Sequence, residues 1–476
     1  MAHLYLSAAH KSSGKTTLTL GLARALRRRG LRVQVFKKGP DYIDPIWHSQ
    51  ASGRPCYNLD FHMMQRAEID ALFARHAAAA DLSLIEGNKG LYDGMDLEGS
   101  DSNAALARQL RAPVVLVLDA QGITRGIAPL ILGYRAFDPE VHIAGVILNK
   151  VAGPRHESKL RAAVARYTGV EVLGCIHRDP RMEIVERHLG LMPGNETLEA
   201  EARIEAIAER VAAQVDLDAL LEIARSAPIL SPSAPPLAEG KDDDALREPL
   251  RIGIARDRAF GFYYNEDLEA LAAEGKLIPV DTLKDARLPE IDALILGGGF
   301  PEVFMDELSA NATLRADIRR AAEAGLPVYA ECGGLMYLSR SIAWKGRRGE
   351  MVGVVPADVA VGSRPVGRGY VTLQATGAGA WACAAGTPLP AHEFHYSHLE
   401  NLPAAPSYAY AVRRGEGIDG RHDGYVYKNV VASYCHFRGA GANGWVRRLA
   451  DHARRVRTAR SPAAPTPDSE PAAKAA

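Results

Sequence analysis

AAHKSSGKTTLTLGLARALRRRG, residues 8–30, decides how the first half of the chain folds. A Gly-Lys-Thr-Thr turn between a short apolar strand (Leu4 to Ala8) and a helix presents backbone N–H groups and a lysine to a triphosphate. The full motif would open with Gly where Ala9 stands, so SSGKTT is a variant P-loop. An ordinary Ser/Gly-rich turn is the competing reading. Context decides against it: Leu18, Leu22 and Leu26 recur at helical spacing, and Gly30 closes the helix. Ser13, Gly14, Lys15, Thr16 and Thr17 are then expected around the phosphates of ATP, with Lys15 on the β/γ-phosphates and Thr16 on Mg²⁺.

At 476 residues the chain is too long for one compact core. Fifty-seven basic and 57 acidic residues leave no net field to recruit nucleic acid or an acidic membrane. Apolar runs such as VVLVL (114–118) and ALIL (293–296) are strand-sized and cannot span a bilayer. The amino terminus has no basic n-region and enters the P-loop strand directly, so the expectation is a cytoplasmic protein. Cys56, Cys175, Cys332, Cys383 and Cys435 lack paired spacing, against a disulfide framework or a zinc site.

The first 225 residues alternate strand signals with segments of helical period: RVQVF (32–36), LSLIEG (82–87), PVVLVLDA (113–120), AGVILNK (144–150) and EVLGCI (171–176). This predicts an α/β domain with a parallel sheet covered by helices. Residues 226–248, rich in Pro, Ala and charge, read as a linker. The rhythm restarts in a second α/β domain over 249–455, and the Pro/Ala-rich residues 456–476 read as a disordered tail.

In that second domain PVYAECGGLMYL places Cys332 after an apolar strand and before Gly333-Gly334 and a helical start. A tight strand-to-helix turn exposes a nucleophile and turns the following N–H groups towards a developing oxyanion. SYCHFRG supplies His436 as base or proton carrier at the end of another strand. LGGGFPE (296–302) adds backbone amides, so the oxyanion hole is expected from Gly298, Gly299 and Gly333. Taken singly, a buried Cys or His is usually structural; the glycine loop beside the pair reverses that weighting.

LILGGGFPE, YAECGGLMYL and SYCHFR resemble the class I glutamine amidotransferase domain in the variant attached to cobyric-type synthases. The resemblance implies glutamine hydrolysis through a cysteinyl thioester, with Cys332 as nucleophile and His436 as base. Class I enzymes carry a Glu two residues after the His; Arg438 stands there, which leaves a Cys–His dyad with its third group open. KKGPDYIDPIWH (37–48) and LIEGNKGLYDG (84–94) resemble the signature segments of the cobyrinate a,c-diamide synthase family, whose first half folds like dethiobiotin synthetase.

That resemblance implies ATP- and glutamine-dependent amidation of the a and c acetates of cobyrinate or hydrogenobyrinate through acyl phosphates. By motif match Asp41 and Glu86 join Thr16 on Mg²⁺, and Asp44, Tyr92 and Asp93 orient substrate or ammonia. Asn149 matches a position near the nucleotide base. Each Asp or Glu beside Gly or Pro is otherwise a simple turn former. Lys38 and Lys89 are added cations relative to the family pattern and suit a more acidic macrocycle, which keeps sirohaem as the alternative substrate. The expected partners are L-glutamine and a tetrapyrrole polycarboxylate, with a homodimer left open. A P-loop regulatory ATPase is a second alternative, but its signature lysine would fall where His10 stands. His392, His395 and His398 are spaced for one helical face; the resemblance favours corrinoid or interface contact there over a metal site.

Overall fold

The strands expected in the first half assemble into one seven-stranded sheet. In chain order its leading elements are β1 (His3–Ala8), α1 (Lys15–Arg28), β2 (Val33–Lys38), α2 (Ile43–Ser52), β3 (Tyr57–Leu59), β4 (Leu82–Glu86), β5 (Val114–Asp119), β6 (Ile143–Val151) and β7 (Glu171–His177). The order across the sheet is β3-β2-β4-β1-β5-β6-β7, and every pairing is parallel. Both faces are covered, so the strands read as continuous apolar runs. Alternation sorts them: Val33, Val35 and Leu84 enter the core under α1, while Phe36, Ile85 and Leu116 enter the opposite one. The loops at the carboxyl ends of β1, β2 and β4 meet where such sheets bind ligands. Helix α3 (Ala200–Gln214) lies on α1, and Gly21 permits the approach, since a Cβ there would be 2.4 Å from Val211 Cγ2.

The computed structural model describes residues 1–182, 184, 186–187, 190–194, 199–228, 248–440 and 444–460. Most of the expected linker therefore lies outside the described residues. Beyond it run β8 (Leu250–Ala255), β9 (Gly275–Val280), β10 (Ala293–Leu296), β11 (Val328–Glu331), α4 (Gly333–Leu338), β12 (Gly367–Ala375), β13 (Pro388–His395), β14 (Ser407–Arg414), β15 (His422–Tyr427), β16 (Val430–Ser433) and α5 (Trp445–Arg460). These strands form a nine-stranded sheet ordered β9-β8-β10-β11-β16-β15-β14-β12-β13. Its first five strands are parallel and the rest antiparallel.

Two expectations change. The three-histidine segment is extended, with His392 and His395 in β13 and His398 in a separate strand, Ser397–Glu400. The i, i+3 spacing that suggested a helical face thus puts neighbouring histidines on opposite faces of a strand. At the carboxyl end α5 continues to Arg460, past the expected start of the tail. Its last turn is anchored by Arg457 on Asp292 (3.3 Å) and by Arg460 on the Ala324 carbonyl (2.9 Å).

The two domains meet through specific polar contacts. Tyr370 donates to Asp60 (2.9 Å), Asn265 to the Cys56 carbonyl (2.8 Å), and Arg438 reaches Glu68 (3.3 Å) while also pairing with Glu266 (2.7 Å). Arg438 is therefore an interface residue, which explains why the position two after His436 carries no acid.

Candidate active site

The P-loop follows β1 as expected. Gly14 has φ 92°, a left-handed conformation natural to glycine, and a Cβ there would lie 2.2 Å from Asn149 Nδ2. Asn149 donates instead to the Ser13 carbonyl (2.8 Å), so it braces the loop from β6. Ser13 is buried and donates to the His10 carbonyl (2.9 Å). Lys15 and Thr17 line the cavity beside it. Lys15 is nearly buried and makes no ion pair among the described residues. Burial, and then the neighbouring Lys37, lower its pKa to about 8.

A dense ionic cluster lies next to Thr16. Its hydroxyl is 2.8 Å from Glu86 Oε1 and 3.1 Å from Asp44 Oδ2. Lys37 Nζ is 2.5 Å from Asp44 and 2.7 Å from Glu86, and His48 Nε2 is 2.5 Å from the other Glu86 oxygen. Glu86 is fully buried, which alone would raise its pKa, but Lys37 and the contact with His48 outweigh burial and hold it well below the carboxylate range. Asp41 sits farther out, 3.9 Å from Lys37, and burial together with Asp44 raises it. One Asp41 oxygen accepts the Ile43 and Asp44 N–H groups at the start of α2 (3.0 Å each). The geometry thus puts Asp44, expected on the substrate side, beside Thr16, and gives Asp41 a helix-start role.

Among the described residues no three His, Cys, Asp or Glu side chains gather into a metal site of their own. What does gather is one hydroxyl and two carboxylates, the hard-oxygen set Mg²⁺ uses when phosphates and water supply its remaining ligands.

Asp93 accepts the Gly90 N–H (2.8 Å) and lines the cavity, whereas Tyr92 does not line it: its hydroxyl donates to the Tyr134 carbonyl (2.6 Å). Lys37 and Lys38 end β2 on opposite faces, so Lys37 joins the P-loop cluster. Lys38 reaches the cavity elsewhere, along with exposed Lys89, and neither makes an ion pair among the described residues. Arg368 and Arg414 of the second domain line the same cavity and are likewise without an ion pair among the described residues.

On the other side of the cleft Cys332 forms the turn from β11 to α4 at φ 47°, ψ −101°. A non-glycine residue held there stores about 1–3 kcal/mol of strain, and Cys332, though buried, lines the cavity at this turn. Its N–H donates to the Ser433 carbonyl (2.7 Å), which fixes the elbow to β16. Gly298 approaches the imidazole so closely that a Cβ would be 2.6 Å from His436 Cε1. A Cβ on Gly333 would come 2.9 Å from Gly299 N, so the expected oxyanion glycines are packed together.

His436 is buried, which alone would lower its pKa, yet the Cys332 and Glu331 side chains raise it to about 10. Its Nδ1 lies 3.4 Å from Glu331 Oε2. His392 pairs with it through two backbone hydrogen bonds (3.1 and 2.7 Å) and is itself lowered to about 3, by burial and then by His436. Tyr42, from the loop carrying Asp41 and Asp44, packs its ring on His436 with centroids 4.6 Å apart.

A cavity of about 1800 Å³ joins these two centres, with Lys15, Thr16 and Glu86 on its wall at one end and Cys332 and His436 at the other. Lys37, His48, Tyr42, Glu331, Arg368 and Arg414 were not singled out from the sequence. The doubled lysine before GPDYIDP was the one available signal; the others depend on which strands become neighbours.

Residues 8–191 match the CobQ/CobB/MinD/ParA nucleotide binding domain, and residues 251–443 the CobB/CobQ-like glutamine amidotransferase domain. The chain is 46% identical over 449 residues to a cobyrinate a,c-diamide synthase of Magnetococcus marinus, covering 94% of this chain and 96% of that one. It is 40% identical over 485 residues to the protein of that name from Methanosarcina barkeri, covering 96% and 97%. For the Archaeoglobus fulgidus protein of the same name the identity is 42% over 424 residues, covering 89% and 91%.

Proposed function

The chain belongs to the cobyrinate a,c-diamide synthase family, and we propose that it is a glutamine-dependent ligase that amidates the a and c acetates of cobyrinate or hydrogenobyrinate in cobalamin biosynthesis. One observation carries the reading: a single cavity is lined both by the P-loop with its acidic cluster and by Cys332 and His436, so ammonia released at the thiol and a carboxylate activated at the P-loop share one cavity.

Cys332 Sγ attacks the glutamine carboxamide, the tetrahedral oxyanion is met by backbone N–H groups around Gly299 and Gly333, and the His436 imidazolium gives its proton to the departing ammonia. Water then releases glutamate from the thioester. At the other end a carboxylate cannot expel oxide, so its oxygen takes the γ-phosphoryl group of ATP and ammonia displaces phosphate from the acyl phosphate. Lys15 receives the β/γ-phosphates, and Asp93 on the cavity wall can take a proton from the attacking ammonia. Thr16, Glu86 and Asp44 would hold Mg²⁺, which when bound would supply positive charge to the transferring phosphoryl group. Lys38, Lys89, Arg368 and Arg414 supply cations to a polycarboxylate ring.

The same cations serve sirohaem, so purified enzyme with ATP, Mg²⁺ and glutamine should be offered cobyrinate, hydrogenobyrinate and sirohaem separately. Two amides gained on a corrinoid, read by product mass, support the reading; turnover of sirohaem alone refutes the substrate and leaves both half-reactions standing. Among the described residues no helix is long and apolar enough to cross a membrane, and a cytoplasmic location suits an enzyme supplied with ATP and glutamine. A regulatory ATPase has no use for the Cys332–His436 pair.

A further inference from the structure

Histidine bases in thiol sites are ordinarily oriented by a third polar group on the far ring nitrogen, because that contact fixes the tautomer and stabilises the imidazolium. The position two residues after His436, where an acid would be sought, is Arg438, and its guanidinium is committed to Glu266 and Glu68. His436 Nδ1 is nevertheless buried and has no hydrogen-bond partner among the described residues. The carboxylate facing it belongs to the residue just before the nucleophile, with Glu331 Oε2 3.4 Å away. Glu331 does not swing freely: its other oxygen accepts the Phe437 N–H (2.9 Å) and the Tyr329 hydroxyl. Phe437 follows His436, so one carboxylate spans the strand end that carries the base and the strand end that carries the thiol.

We propose that Glu331 is the positioning residue of the glutaminase centre, which makes it a Cys332–His436–Glu331 arrangement whose acid comes from the nucleophile's own strand. The elbow explains how adjacent residues take separate roles: side chains alternate along β11, and the chain turns sharply at Cys332 with φ 47°. A tightening of a few tenths of an ångström when glutamine binds converts the 3.4 Å approach into a charge-assisted hydrogen bond. The other groups facing the ring cannot substitute. His392 is neutral and bonded to His436 only through backbone, Tyr42 offers its ring face, and Cys332 is the nucleophile.

The inference rests on the glutaminase half of the proposed function, and three measurements separate the two. Glutamate release by Glu331→Gln, which keeps shape and loses charge, should fall about 10²-fold or more in kcat with KM for glutamine nearly unchanged. Glu331→Asp, which keeps charge and loses shape, should retain more activity than the Gln variant. The alkaline limb of the kcat profile should move down by about 1–3 pH units in Glu331→Gln, because the imidazolium has lost its counter-charge. Ammonium-driven synthesis in the same preparations reports that the chain is folded. A Gln variant as active as, or more active than, the Asp variant overturns the role, as does an unmoved alkaline limb. Absence of glutaminase activity in the unsubstituted protein would instead refute the glutaminase reading.

Discussion

Replacing Lys37 by Met removes a charge from the centre of the acidic cluster while keeping the length of the stem. Lys37 is 97% buried by residue area, holding Asp44 at 2.5 Å and Glu86 at 2.7 Å, with Asp41 at 3.9 Å. Without it Glu86, fully buried, keeps His48 and the neutral Thr16 hydroxyl against the cost of desolvation. Stranding one partner of a buried pair costs about 3–5 kcal/mol. At about 2–4 °C per kcal/mol for a domain of this size, the amino-terminal melting transition should fall by about 6–20 °C at pH 7.5.

The pH dependence has a definite sign. Glu86 is depressed in the folded protein, so it contributes stability above its unfolded pKa and loses it as pH falls through the folded value. In the Met variant burial dominates and its pKa rises, so the neutral acid is tolerated and the deficit shrinks as pH is lowered towards 5. Mg²⁺ with ATP should return part of the loss, since a bound cation replaces the ammonium. Calorimetry of both proteins at pH 7.5 and 5.5, with and without Mg²⁺ and ATP, is the assay. A shift under 2 °C at pH 7.5, or a deficit that widens on acidification, would refute this account of the cluster.

Gly298→Ala should cut glutamine-driven synthesis about 10²-fold while sparing ammonium-driven synthesis, because its Cβ would stand 2.6 Å from His436 Cε1 and displace the imidazole; equal activity with both nitrogen sources refutes the packing argument. Cys332→Ala should abolish glutamate release and keep synthesis from ammonium salts, and a variant dead with both would contradict the division between domains. Lys15→Ala should show the reverse, with glutaminase turnover retained and amide formation lost in a coupled ADP assay. Deleting residues 461–476 should leave melting temperature and activity unchanged, whereas deletion from Val456 removes the Arg457 and Arg460 anchors and should lower stability by about 1–2 kcal/mol.

Local pattern carried a great deal here. The P-loop strand and helix, the parallel strands of the first sheet and the strand–cysteine–helix turn all follow from apolar periodicity and glycine placement within windows of a dozen residues. Where a neighbour along the chain competes with a neighbour in space, pattern misled or fell silent. The three histidines were spaced for a helix yet lie on strands, because sheet pairing outweighs i, i+3 spacing. Arg438 departed from the class I pattern without saying what it did, since Glu266 and Glu68 come from distant segments.

The sequence by itself determined the two α/β domains, the nucleotide turn and the nucleophile elbow, since each is a local consequence of chain geometry and side-chain type. Tertiary structure alone decided which charges meet: that Lys37 rather than Lys38 neutralises Glu86, that Asp44 rather than Asp41 stands by Thr16, and that Glu331 faces His436. Electrostatic energy depends on distances of a few ångströms and on burial. Those quantities arise only when strands far apart in sequence are set side by side and two domains close over one cavity.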